Sequence, residues 1–458
     1  MKFGIVGAVV GILGGLACSA GGGTPPPPAQ NSGASGAFGV ITLNGKQLMY
    51  YPTQSLTAFP DGGGTSTVTV IDVGQKGNGA LGANAQVATV ALNSTDLATT
   101  TAGDSNVVLA AGTATYNVWF IDPNSNTLIK TLALDPSLNG SSFSGGGGIV
   151  TGIAMDEANN RAILSVWNGF LYVDLASKTI TGSVISAPAE NFGFDGLHGL
   201  IGAPFYGCGQ IGQSGDGGVV DAGFCLNYQV PDGGGTITAG VNVVKVASGK
   251  VYSYYLPNAS DPTQPLGSEP DSAAFDPGLQ LLAVQPEGPP QQDFLDLSQA
   301  VYSDATGTFT APLLAVPTQN SYEGVAIETR THLALFENEG SANLALVDLT
   351  KLNADAGLPP QSLVESAMPD TPATDAGAGG GWSNQTGSSH DPHGITVSTA
   401  LQDAGPVGFL VSDNGYGPIW VARLDLAAVL ALGTTDGGTV PSSALAPAIT
   451  LLNGSVHE

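Results

Sequence analysis

Residues 152–184 read GIAMDEANNRAILSVWNGFLYVDLASKTITGSV, and that stretch decides the fold. It breaks into four short apolar segments separated by polar turns at Asp156-Glu-Ala-Asn-Asn160, Asn168-Gly169 and Ala176-Ser-Lys178. Asn-Gly is a two-residue hairpin signal because both positions tolerate positive φ. The segments between the turns are rich in Val, Ile, Leu, Thr and Tyr, as a pleated, half-buried surface requires. Four antiparallel strands joined by tight turns make one small twisted sheet. Alone it cannot bury both faces, so it must stack on copies of itself.

The copies emerge when the third segment, an apolar run usually ending in Asp, serves as the marker. It recurs at Val70-Ile71-Asp72-Val73, Phe120-Ile121-Asp122-Pro123, Tyr172-Val173-Asp174-Leu175 and Val243-Val244-Lys245-Val246. It returns at Phe294-Leu295-Asp296-Leu297, Leu346-Val347-Asp348-Leu349 and Ala422-Arg423-Leu424-Asp425. Taken at positions 72, 122, 174, 245, 296, 348 and 425, the spacings are 50, 52, 71, 51, 52 and 77 residues. Each of the two long gaps carries an insertion. Units of this length and number predict an all-β chain, a β-propeller of seven four-stranded blades over residues 37–458. Residues 448–452 read as one more strand, expected to pair with the N-terminal strands and close the ring.

The third unit, together with Asp391-Pro-His-Gly-Ile395, resembles the repeats of secreted bacterial β-propellers of the YVTN and NHL type. That resemblance implies a propeller and an exported protein. It does not imply an activity, because the family holds binding modules, scaffolds and several kinds of enzyme.

The N-terminus is consistent with export. Residues 1–17 read as a signal peptide, with Lys2 before an apolar run over residues 3–17 that is too short to span a bilayer. Leu16-Ala17-Cys18 resembles a bacterial lipobox, which implies a diacylglycerol on the Cys18 thiol. Gly15 stands where a large aliphatic residue is usual, which keeps cleavage and release as the alternative. Residues 18–36 are a Gly- and Pro-rich tether without apolar periodicity, a stiff spacer that would hold a folded domain off a membrane. Ser19 after the cysteine resembles sorting to the outer membrane. The expected location is therefore the bacterial cell envelope, as an outer-membrane lipoprotein or a secreted protein.

Eleven Lys and Arg against 37 Asp and Glu give a net charge of −26, which repels phosphate backbones and anionic head groups. Nucleic acid is excluded as a partner, and contact with a membrane is expected through the lipid anchor only. Cys208 and Cys225 form an even pair in an exported chain and are expected to be a disulfide across a glycine-rich loop. Residues 369–390 form a second, low-complexity insertion.

Catalytic motifs are absent: there is no Gly-x-Ser-x-Gly elbow, no His-Glu-x-x-His and no phosphate loop. One constellation stands out. The first residues of the inner strands ring one mouth of a propeller channel. Aligned by that strand, Thr151, Asp271, Glu323 and His393 fall at equivalent places, with Asp195 or His198 in the irregular fourth unit. Asp271, Glu323 and His393 are candidate ligands for Ca²⁺ or another divalent ion. The competing reading is that polar residues open inner strands merely to hydrogen-bond backbone or water. His332 reads as a strand residue.

Two functions follow. The first is a surface binding or scaffold module for protein or glycan, working through loop insertions on a rigid ring. The second is a divalent-metal-dependent hydrolase with its site at the channel mouth. It rests on a resemblance to lactonase- and phosphoesterase-like propellers, echoed in Ser321-Tyr-Glu-Gly-Val-Ala326.

Overall fold

The computed structural model describes residues 38–54, 66–74, 86–94, 98–112, 116–135, 150–166, 169–185, 189, 191–206, 239–257, 270–286, 290–318, 324–337, 343–352, 363–367, 395–398, 405–412, 419–432 and 440–454. The stretch singled out above is blade three. Its strands Val150–Asp156, Arg161–Val166, Gly169–Asp174 and Thr179–Ile185 pair in sequence order. Side chains alternate across the sheet. Ile163, set against Ala154 and Tyr172, feeds one neighbouring core, while Leu164, set against Ile153 and Leu171, feeds the other.

The meander recurs to give seven sheets. Every marker segment lies on a third strand: Ser66–Asp72, Asn117–Asp122, Gly169–Asp174, Ala239–Lys245, Gln291–Asp296, Asn343–Asp348 and Ile419–Asp425. Seven clusters of buried apolar side chains fill the seven seams between neighbouring blades. Each large apolar side chain buried there contributes roughly 1.5–3 kcal/mol. The chain is a seven-bladed β-propeller.

The ring closes differently from the expectation. The last strand, Ile449–Gly454, pairs with Ile419–Asp425 as the outer strand of blade seven, and blade one is built from its own four strands. With both end blades complete, neither needs a strand from the other. Closure is by packing: Phe38, Val40, Met49, Tyr51, Ile71 and Val73 of blade one meet Val407, Phe409 and Val421 of blade seven.

Blade four holds two surprises. Its second strand, Leu200–Tyr206, precedes the cysteine-containing insertion and pairs with Ala239–Lys245 beyond it. Its outer strand, Lys250–Tyr255, is extended by a hairpin borrowed from blade five, Val301–Ser303 and Thr308–Thr310, through a parallel contact between Ser253 and Thr308. The sheet therefore has six strands. Tyr302 of the hairpin fixes it in place, with ring centroids 4.8 Å from Tyr252 and 5.4 Å from Phe309.

Strand order divides the ring into two faces. Inner strands begin, second strands end, third strands begin and fourth strands end on one face. Both sequence insertions leave from it, one between Tyr206 and Ala239, the other between Leu363–Ala367 and Ile395–Ser398. The opposite face carries the turns from inner to second strands and from third to fourth, such as Asn44-Gly45, where φ values of 51° and 76° bear out the Asn-Gly hairpin signal.

Cys208 and Cys225 lie outside the described residues. Their pairing predicts that thiol titration of the unfolded, unreduced mature protein finds neither free. Closing a loop of this length contributes up to about 3 kcal/mol in the chain-entropy model. One free thiol at either position contradicts the pairing. Among the described residues, no helix is long and apolar enough to cross a membrane.

Candidate functional site

The channel mouth on the insertion face is framed by the starts of the inner strands. In blade three, Thr151 is the bulged residue, because the register jumps from Gly152 opposite Ser165 to Val150 opposite Val166. In blade five, Asp271 is bulged in the same way between Pro270 and Ser272. The alignment of these two positions therefore holds at the level of the backbone. A bulge re-aims a side chain and is common beside sites. Thr151 uses its position structurally: it is buried, its hydroxyl donates to the Ala189 carbonyl at 2.6 Å, and it lies 2.9 Å from the Ser165 hydroxyl.

Neighbouring positions behave similarly. The Thr101 hydroxyl accepts from Gly39 N–H of blade one at 2.9 Å, and the Ser272 hydroxyl accepts from Val325 N–H of blade six at 3.0 Å. Small hydroxyls at the inner-strand starts thus tie adjacent blades together. Glu323, His393 and Cys18 lie outside the described residues. Among the described residues, no cluster of three or more His, Cys, Asp or Glu side chains is arranged to hold a metal ion. A shared Ca²⁺ at this mouth predicts that chelator lowers the melting temperature and that Glu323→Gln abolishes the response, since an ion bound only by the folded state stabilises it. Identical melts of both proteins, with chelator and with Ca²⁺, contradict a site.

The acidic residues that the structure does organise lie on the opposite face. The marker aspartates cap the turns that follow third strands. Asp122 accepts from Asn124 N–H at 2.9 Å, Asp174 from Ser177 N–H at 2.6 Å, Asp296 from Ser298 N–H at 3.0 Å and Asp348 from Thr350 N–H at 3.0 Å. These bonds hold the Asp122 and Asp174 carboxyls below the usual range. Asp425 caps a short helix, Leu426–Ala431, through Ala428 N–H.

A second acidic set ends the inner strands. Asp195 accepts from Leu197 N–H at 2.9 Å and His198 N–H at 3.0 Å, while its other oxygen lies 2.7 Å from His198 Nδ1. Asp276 accepts from Leu279 N–H at 2.9 Å and meets His332 Nδ1 of the next blade at 2.7 Å. Burial pushes the Asp276 carboxyl up, against the pull of the Leu279 N–H and His332. Glu328 accepts from Thr331 N–H at 2.9 Å and pairs with Arg330 at 2.8 Å.

Two expectations are corrected here. Asp195 and His198 do not stand at the insertion-face mouth, because Asp195 ends the inner strand Gly193–Asp195 rather than starting it. His332 is not a strand residue: it occupies a left-handed turn position with φ 59° and ties blade six to blade five. A 56-residue separation hides the Asp276–His332 pair from sequence reading.

Fold and sites together define a seven-bladed β-propeller with one capped face and one insertion face. No protein-family model matches the chain, and no curated protein matches it. Among solved structures, Kuenenia stuttgartiensis hydrazine synthase is similar with a TM-score of 0.45 at 12% identity, over 69% of this chain and 78% of that one. So distant a likeness carries no argument about activity.

Proposed function

We propose that the protein is an exported, lipid-anchored propeller acting as a surface binding or scaffold module for protein or glycan. One observation carries the reading: both long sequence insertions leave from the same face of the ring, while on the other face the turns from inner to second strands in blades two, four, five and six are short and side-chain-capped. Recognition loops on rigid scaffolds collect in this way. The likeness of residues 152–184 to secreted YVTN- and NHL-type repeats supports export, as does the signal-like stretch before Cys18. Phe38 enters the ring at the start of an inner strand, so the tether joins on the insertion face. An extended Pro-rich spacer of this length reaches about 60 Å, enough for the ring to turn either face outward.

Cys18→Ser is expected to move the protein from the membrane fraction to the soluble one. Unchanged fractionation removes the anchor. Recognition is tested by titrating the mature protein against envelope polysaccharides and outer-membrane protein preparations. Saturable binding to one of them is the expected result, and failure against both contradicts the reading.

A further inference from the structure

Blade four breaks the repeat at one informative place. The residue ending its third strand is Lys245, where the other six units have Asp. The turn survives because the Lys245 carbonyl accepts from Ser248 and Gly249 N–H, at 3.1 and 2.8 Å. The side chain is thereby released from capping. Its ammonium lies 3.7 Å from the Tyr302 ring centroid and 5.1 Å from that of Tyr252, a cation–π clamp closed by the borrowed hairpin.

No carboxylate among the described residues forms an ion pair with Lys245. The neighbouring acids are already engaged. Asp304 on the hairpin meets Lys250 Nζ at 2.5 Å and accepts from the Tyr252 hydroxyl at 2.5 Å. Asp195 spends one oxygen on two backbone N–H groups and the other on His198.

The same ammonium borders a cavity of about 170 Å³ between blades four and five, lined by Asp195, His198, Leu200, Lys245, Leu297 and Tyr302, with Gln280 at its side. With Nδ1–H donating to Asp195, Nε2 of the neutral His198 ring is an acceptor. Lys245 brings a cation to the cavity lining, and Leu200 and Leu297 bring apolar groups. A cavity of ~150 Å³ holds a benzene-sized molecule.

We propose that this cavity binds a small carboxylate with an apolar body, its carboxylate on Lys245 and its body against Leu200, Leu297 and Tyr302. The site lies on the capped face, away from the insertions, and does not depend on what they recognise. Calorimetric titration of the mature protein with benzoate, 4-hydroxybenzoate and hexanoate tests it, with benzamide as the uncharged shape and inorganic phosphate as the bodiless anion. At least one carboxylate should bind saturably, with benzamide and phosphate each at least roughly tenfold weaker. Lys245→Met, which keeps the stem and loses the charge, should weaken that carboxylate by a similar factor. Leu200→Trp, which fills the cavity and leaves the lysine clamp in place, should abolish binding and decides the matter should Lys245→Met fail to fold. Absence of saturable binding by all three carboxylates overturns the proposal. So does equal binding of benzamide or phosphate, or unchanged affinity in a folded variant.

Discussion

Replacing Asp293 by Asn is expected to flatten the pH dependence of stability. Asp293 sits on the third strand of blade five between Val284 and Ala315, buried to 1% exposure. One carboxylate oxygen accepts from the Gln291 side-chain amide at 2.9 Å, while the other has no partner among the described residues. Burial pushes the carboxyl up from 3.8 to about 7, against the pull of Gln291. The folded chain therefore holds this proton more tightly than the unfolded one. The resulting stabilisation is fully present below pH 4 or so and is lost as pH rises through 7. Across that window the wild type should lose about 4 kcal/mol relative to Asp293→Asn, close to 1.4 kcal/mol per pH unit. Denaturant unfolding of both proteins between pH 4 and pH 8 reads the difference directly. Parallel profiles would mean that the carboxylate is solvated or paired.

Phe409→Ala should be the most damaging single truncation at the closing seam. Phe409 is fully buried and belongs to the cluster that joins blade seven to blade one. Among the described residues no strand crosses that seam, and its packed side chains carry the closure. Large-to-small changes of this kind cost about 3–5 kcal/mol, the lost transfer energy plus that of the cavity left behind. Equilibrium unfolding should show a loss of this size, whereas a loss below about 1 kcal/mol would mean that closure does not depend on the packing described.

Most of this fold was legible in the sequence because its signal is periodic. All seven markers fell on third strands, and their aspartates recur because each caps a turn that must be made in nearly every blade. What stayed hidden was non-periodic. Leu200–Tyr206 contains Pro204 and runs into the insertion, so it resembled loop. The hairpin over residues 301–310 pairs with a strand of the preceding blade, a choice that no local pattern records.

The sites were less legible. Reading inner strands from their starts directed attention to Asp271, Glu323 and His393, whereas the organised acids end those strands. The exception at Lys245 was visible as a break in the repeat, but its meaning depends on Tyr302, which is brought alongside only by the borrowed hairpin.

The division of labour between the two faces is the central claim, and a paired set of variants measures it. Asp276→Ala and Asp348→Ala remove caps on one face, and short Gly/Ser turns replace residues 207–238 and 368–394 on the other. Each variant is scored for unfolding free energy and for binding to whichever polysaccharide or protein preparation the wild type binds saturably. The cap variants should lose about 1–3 kcal/mol each and bind as wild type does. The turn replacements should keep the ring's stability and lose binding. Binding that survives both replacements, or that falls with the caps instead, would contradict the assignment of the insertion face.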